Sequence, residues 1–181
     1  MKKHNLKNYL KKSKRLYQIK RYEKALIQLN KAIEINPDSF EVLFFCGVVL
    51  SALNNYKEAI TFYNKAAEIK PENPVVWYNL ANTLKKLNRL EALENYDISI
   101  KLDNDYGEVW CSRGNTLYKL SRYKEALESY DRAIELNNNT AWSNRANTLN
   151  KLFRHEEALV SCDKAIQINP NSFDNWYSHG I

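Results

Sequence analysis

Residues 107–138 read GEVWCSRGNTLYKLSRYKEALESYDRAIELNN, and this stretch decides the fold. Two amphipathic segments flank a short turn at Leu120–Tyr123. In the first segment the apolar column is Trp110, Leu117 and Leu120, with Gly114 on the same side. In the second it is Tyr123, Ala126, Leu127, Tyr130, Ala133, Ile134 and Leu136. Spacings of three and four place each column on one helix face. Gly114, Ala126 and Ala133 let two helix axes approach to roughly 8–10 Å, and Trp110 and Tyr130 fill the space beside them. One such hairpin cannot bury its own apolar faces, so it must stack on another like it.

The pattern recurs along the chain. Each first helix opens on a large residue, Tyr9, Leu43, Trp77, Trp110, Trp142 and then Trp176. Four positions on comes a small one: Ser13, Gly47, Ala81, Gly114, Ala146 and Gly180. The second helices carry Ala25, Ala59, Ala92, Ala126 and Ala158, and seven residues later Ala32, Ala66, Ser99, Ala133 and Ala165. Between them stand Leu29, Tyr63, Tyr96, Tyr130 and Cys162. Pro37 and Pro71 lie 34 positions apart. A fixed period of this length marks a helical solenoid.

With the runs W77-YN-L80-A81, W110-CS-R113-G114, A126-LES-Y130 and A59-ITF-Y63, the chain resembles the tetratricopeptide repeat (TPR) family over nearly its whole length. The resemblance implies an all-α, right-handed superhelical solenoid of antiparallel helix pairs. Read as a single array, it has repeats at about 6–39, 40–73, 74–106, 107–138 and 139–172 and a partial sixth at 173–181.

Several local features depart from regularity. The first helix of repeat one is degenerate, with Lys12 and Ser13 where the family has Leu and Gly, as suits a solvated end. Pro37 stops the preceding helix; Asp38 and Ser39 offer capping oxygens, with Glu41 spaced for a capping box on Asp38. Phe44, Phe45, Val48 and Val49 make the next helix apolar nearly all round. Asn73-Pro74 is a cap followed by proline at the first helical position. The turn Leu87–Glu91 is one residue short, and two residues are missing before Trp142, so irregular stacking is expected at 88–92 and 136–141. His155 stands where other repeats have Tyr and is expected to pack in its place. Trp176 and Gly180 await a partner helix, which points to a longer natural protein more than to a half-repeat cap.

Composition narrows the function. The net charge of +6 belongs to one end: residues 1–24 hold ten Lys or Arg against Glu23 alone. Three dispersed cysteines, Cys46, Cys111 and Cys162, argue against a disulfide framework and for a reducing, cytoplasmic setting. The apolar run Val42–Leu53 is too short to span a bilayer, and the charged N-terminus lacks a signal-peptide core. His4, His155 and His179 are isolated, and no phosphate loop, nucleophile elbow or metal-spaced cluster occurs. The expectation is a non-enzyme without cofactors or metals.

The binding surface is expected on the first helices, which in TPR arrays line a concave groove. After the small residue come Asn82, Asn115 and Asn147; before it lie Asn79, Ser112 and Asn144; beyond it lie Lys85, Tyr118 and Asn150. Asparagine both donates and accepts, so these residues suit the backbone of an extended peptide. Phe44, Val48 and Tyr78 would supply apolar anchors. The family's two-carboxylate clamp is absent, because its lysine places hold Tyr78, Cys111 and Ser143 and its later places Thr140 and Asn144. The expected role is a protein-binding scaffold or adaptor that captures a peptide or helix of a partner. The alternative is the substrate-recruiting arm of a larger enzyme such as a glycosyltransferase. Nucleic-acid binding through the basic N-terminus is the weaker reading, since Tyr9 and Tyr22 belong to packing columns. Self-association through the Trp176 end is a further expectation.

Overall fold

The protein is described by a computed structural model covering residues 2–170, with side chains from residue 5 onward. Trp176, His179, Gly180 and the rest of the partial sixth repeat lie outside the described residues, as does the side chain of His4. Ten helices and no strand occur among the described residues. They form five antiparallel hairpins: α1 (Lys2–Gln18) with α2 (Tyr22–Ile35), α3 (Phe40–Ala52) with α4 (Tyr56–Ile69), α5 (Pro74–Lys86) with α6 (Glu91–Leu102), α7 (Gly107–Lys119) with α8 (Tyr123–Glu135), and α9 (Ala141–Lys151) with α10 (His155–Ile168). The chain divides into two compact units, Met1–Leu102 and Asp103–Ile181. Each is an all-α stack of helix pairs.

The periodic columns are the core. Ala25, Ala59, Ala92, Ala126 and Ala158 are buried, as are the residues seven positions on and the large residues between them. Tyr63, Tyr96 and Tyr130 are among the largest fully buried side chains. Their rings press on the small residue of the first helix. A Cβ at Gly47 would lie 2.6 Å from Tyr63 Cε1, and one at Gly114 would lie 2.6 Å from Tyr130 Cε1. The degenerate first repeat solves the contact differently. Ser13 is buried, and its hydroxyl donates to Ala25 O at 3.1 Å.

Every hairpin turns the same way. The second residue after each first helix has a left-handed backbone: Lys20, Asn54, Asn88, Ser121 and Phe153, with φ between 54° and 60°. The next amide reaches back five residues, as in Arg122 N→Leu117 O at 2.9 Å and Arg154 N→Leu149 O at 3.0 Å. This is the Schellman closure, which satisfies carbonyls that the helix end leaves open. Links between hairpins differ. Asn36, Lys70 and Asn169 end α2, α4 and α10 with φ between −147° and −133° and positive ψ, out of the helical region, as the prolines that follow them favour. No proline follows α8, and Asn137 closes it with φ 60° instead. The shortened link at 136–141 therefore has a different helix exit.

Four expectations need correction. The missing residue near 87–91 is taken from the helix, not from the turn. The Arg89 N→Leu84 O closure is intact, and Ala92 and Leu93 bond three residues back, to Arg89 O and Leu90 O, giving α6 a tightened 3₁₀-like start. The capping box at Asp38 does not form: the N-cap is Ser39, whose side chain makes no cap bond and donates to Glu41 at 3.5 Å. His155 is exposed rather than packed, set edge-on to Phe153 and 3.4 Å from Asn150 Oδ1. Leu120, placed in the apolar column, is the C-cap of α7 and is exposed. The Asn73-Pro74 cap forms as read, with Asn73 Oδ1 accepting from Val75 N at 3.0 Å.

Candidate functional site

In the first unit the candidate residues lie on α3 and α5. Val48 is half-buried, and so is Phe44, whose ring tilts against Tyr63 at 5.8 Å and stacks on Phe40 at 6.0 Å. Tyr78 is half-buried and tilted 6.3 Å from Tyr96. Lys85 places its ammonium 5.9 Å from the Tyr96 ring centre. Asn79 donates to Val75 O in its own helix at 2.8 Å. An open polar cleft of about 320 Å³ brings Asn79 and Asn82 together with Ser51, Tyr56, Tyr63 and Lys86. Phe44, Val48 and Tyr78 do not line it. Its two walls are tied by a 3.2 Å contact between the Ser51 and Thr83 hydroxyls.

In the second unit the residues lie on α7 and α9, and two of them, Asn115 and Asn144, meet at Cys111. Cys111 is buried, and its sulfur accepts from Asn144 Nδ2 at 3.8 Å and Asn115 Nδ2 at 4.0 Å. The Thr140 hydroxyl lies 3.6 Å away. Tyr118 tilts on Tyr123 at 5.5 Å, Asn150 faces His155, and Asn147 is half-buried.

One device occurs in both units. Tyr96 donates its phenol proton to Asn82 Oδ1 at 2.7 Å, and Tyr130 donates to Asn115 Oδ1 at 2.9 Å. With its oxygen engaged, the Asn82 amide is left with its NH2 as the hydrogen-bonding end, whereas Asn115 already directs one amide hydrogen to Cys111 Sγ and keeps the other. Burial raises the Tyr130 phenol far above its ordinary value, so it remains a donor at any physiological pH. The two pairs are separated by 14 and 15 positions because α6 lost one residue. In the second hairpin Val48 replaces the asparagine, and in the fifth Cys162 replaces the tyrosine, so neither repeats the bond. The pairing is periodic in the sequence, but it joins a core column to a surface column, and periodicity within each column does not show the bond between them.

Arginines join the first helix to the second. Arg113 donates to Ser129 at 2.8 Å; Arg145 donates to Ser161 at 2.7 Å and to Asp131 at 2.6 Å. Burial pushes the Cys46 thiol up to about 12 and raises Cys162 as well, which fits structural thiols and not nucleophiles. No group of three metal-ligating side chains occurs among the described residues, and none of their helices is long and apolar enough to cross a membrane.

These stacked hairpins define a class, the helical-repeat proteins, and sequence comparison defines the family. The tetratricopeptide repeat model matches residues 107–139 and 140–172, and a second TPR repeat model matches 14–53 and 49–88. The chain belongs to the tetratricopeptide repeat family. Residues 89–106, which include the shortened α6, are matched by neither model. No curated protein matches the sequence. Among solved structures it is similar to YrrB, described as a TPR protein with an unusual peptide-binding site, at 26% identity and a TM-score of 0.79 over 96% of this chain and 91% of that one. It is also similar in fold to MamA from Desulfovibrio magneticus, at 17% identity and a TM-score of 0.84 over 93% and 97%. A TPR protein from Thermus thermophilus matches at 21% identity and a TM-score of 0.72 over 97% of each chain.

Proposed function

We propose that the protein is a non-catalytic scaffold that captures an extended peptide or helix of a partner on the face carried by its first helices. In the first unit Phe44, Val48 and Tyr78 are the apolar anchors, with Asn79, Asn82 and Lys85 as polar contacts. In the second unit Asn115, Tyr118, Asn144, Asn147 and Asn150 serve as partners for a peptide backbone. The observation that carries this reading is the Tyr–Asn pairing. A half-buried amide locked through its oxygen to a buried phenol holds its NH2 in a fixed orientation, wholly available at Asn82 and with one hydrogen left at Asn115, which suits a carbonyl acceptor and is indifferent to side-chain sequence. The likeness to YrrB, a peptide-binding TPR protein, supports it. The reducing, cytoplasmic setting suggested by the three free, buried cysteines is part of the same proposal.

The test starts from peptides selected from a random phage library. Asn82→Ala, Asn115→Ala and Asn147→Ala combined should weaken selected peptides by roughly tenfold or more, each lost hydrogen bond contributing about 0.5–1.5 kcal/mol. Far-UV circular dichroism should be unchanged. Unaltered affinity would remove the asparagines from the site.

A further inference from the structure

The first hairpin differs from the others in charge at matching positions. Lys7, Leu10, Lys11, Lys14, Arg15 and Gln18 line an open cleft of about 370 Å³ along α1. Lys14 follows the buried Ser13, the register held by Val48, Asn82, Asn115 and Asn147; Lys11 holds the register of Phe45, Asn79, Ser112 and Asn144. Lys11 and Lys14 therefore hold registers of the first-helix face proposed above, at the start of the first unit, while Arg15 holds the register of the buried Val49, Thr83, Thr116 and Thr148 and is itself exposed on α1. Among the described residues, no carboxylate lies within 4 Å of Lys7, Lys11, Lys14 or Arg15. Lys14 meets only the Phe45 ring, at 5.9 Å. At the entry to their second helices later hairpins pair an arginine with a glutamate, as in Arg89–Glu91, Arg122–Glu125 and Arg154–Glu157. Where those hairpins carry Glu58, Glu125 and Glu157, the first carries Lys24.

We infer that this stripe binds an acidic segment of the partner peptide, an inference that rests on the first-helix face being the peptide-binding one. Charge complementarity selects the occupant. From Lys7 to Gln18 the helix rises about 16 Å, the length of roughly five extended residues. Tyr17 packs on Tyr22 at 5.2 Å and on Phe45 at 5.5 Å, and Tyr9 is half-buried against the core, so α1 presents no open aromatic platform for nucleic-acid bases. Leu6 and Leu16 pack partly buried against the same core, and Leu10 is the one apolar side chain lining the cleft, set among its cations, so α1 offers no continuous apolar stripe for insertion into a bilayer.

The test titrates the full chain by fluorescence anisotropy with a labelled, end-blocked Glu/Ser peptide of about ten residues. Its Gln/Ser counterpart, a short duplex RNA and vesicles containing phosphatidylserine are titrated beside it. The Glu/Ser peptide should bind roughly tenfold or more tightly than the Gln/Ser peptide, and the preference should fall with added salt. Lys7→Gln, Lys11→Gln, Lys14→Gln and Arg15→Gln combined should abolish the preference, while Lys57→Gln with Lys65→Gln on α4 should keep it. The Gln/Ser comparison needs no variant, so it stands even if the fourfold variant loses helicity. Equal binding of the two peptides, or tighter binding of duplex or vesicle than of Glu/Ser, would overturn the inference. Should Asn82→Ala, Asn115→Ala and Asn147→Ala weaken both peptides equally while no acidic preference exists, the peptide face stands and the cationic stripe does not.

Discussion

Single residues fix how closely helices approach. Gly114 exists because the Tyr130 ring occupies the place of its side chain. Gly114→Ala must displace a fully buried ring and should cost about 1–3 kcal/mol in chemical denaturation; Ala126→Leu, at the facing column, should cost a similar amount. A cost below the measurement error would mean that the ring moves freely. Phe153 shows the opposite situation. It is 83% exposed and held at φ 59°, a conformation that costs a bulky residue roughly 1–2 kcal/mol. The corresponding positions of the second and third hairpins hold Asn54 and Asn88. Phe153→Asn should therefore raise stability by about 0.5–1 kcal/mol, read as a higher melting temperature. The small-residue columns were legible in the sequence because their period is strict. The left-handed turns were not, because Lys, Ser and Phe occupy positions where glycine would have announced them.

At the scale of elements, the hairpins are held by polar ties as well as by packing. Arg145 replaces an apolar residue of the family pattern, yet its side chain is only 18% exposed and bonds both Asp131 of α8 and Ser161 of α10. Arg145→Ala should cost about 1–3 kcal/mol by emptying the space of a largely buried side chain and removing its donor to the buried Ser161 hydroxyl. Arg154→Ala, which loses only an exposed pair with Glu157, should stay within about 0.5 kcal/mol. Equal costs would contradict the distinction. The Arg154 hydrogen bond lowers the Glu157 carboxyl, and Arg122 does the same for Glu125. Depressed carboxylate values stabilise the fold above the unfolded-state value, and the contribution is lost as the pH falls through the folded one. The missing residue near Glu91 was visible from the repeat register, but its location was not. The helix-capping turn is a closed hydrogen-bonded unit, so the deletion fell on the first turn of α6, where three-residue bonds replace four-residue ones. His155 was misread for a related reason: its register is that of Tyr123, whose place lies beside the turn and not in the buried column.

At the scale of the molecule, all three cysteines are buried in repeat packing and none pairs. Native protein should therefore show almost no fast-reacting thiol towards an aromatic disulfide reagent, and denatured protein should show three. Rapid modification of Cys111 in the folded chain would open the cluster that it forms with Asn115 and Asn144. The family and the registers of its first-helix residues were legible because repetition presents each register several times over. What joins those residues was not, since Asn82 to Tyr96 and Asn115 to Cys111 are contacts between columns that the periodic pattern keeps apart.

The most direct test of the peptide-binding face is a map of backbone amide shifts on titrating ¹⁵N-labelled protein with a selected peptide. The account predicts that the perturbed amides cluster on α3 and α5 in the first unit and on α7 and α9 in the second, around Asn82, Asn115 and Asn147. Shifts confined to α4, α6, α8 and α10 would place the partner on the second helices and contradict it.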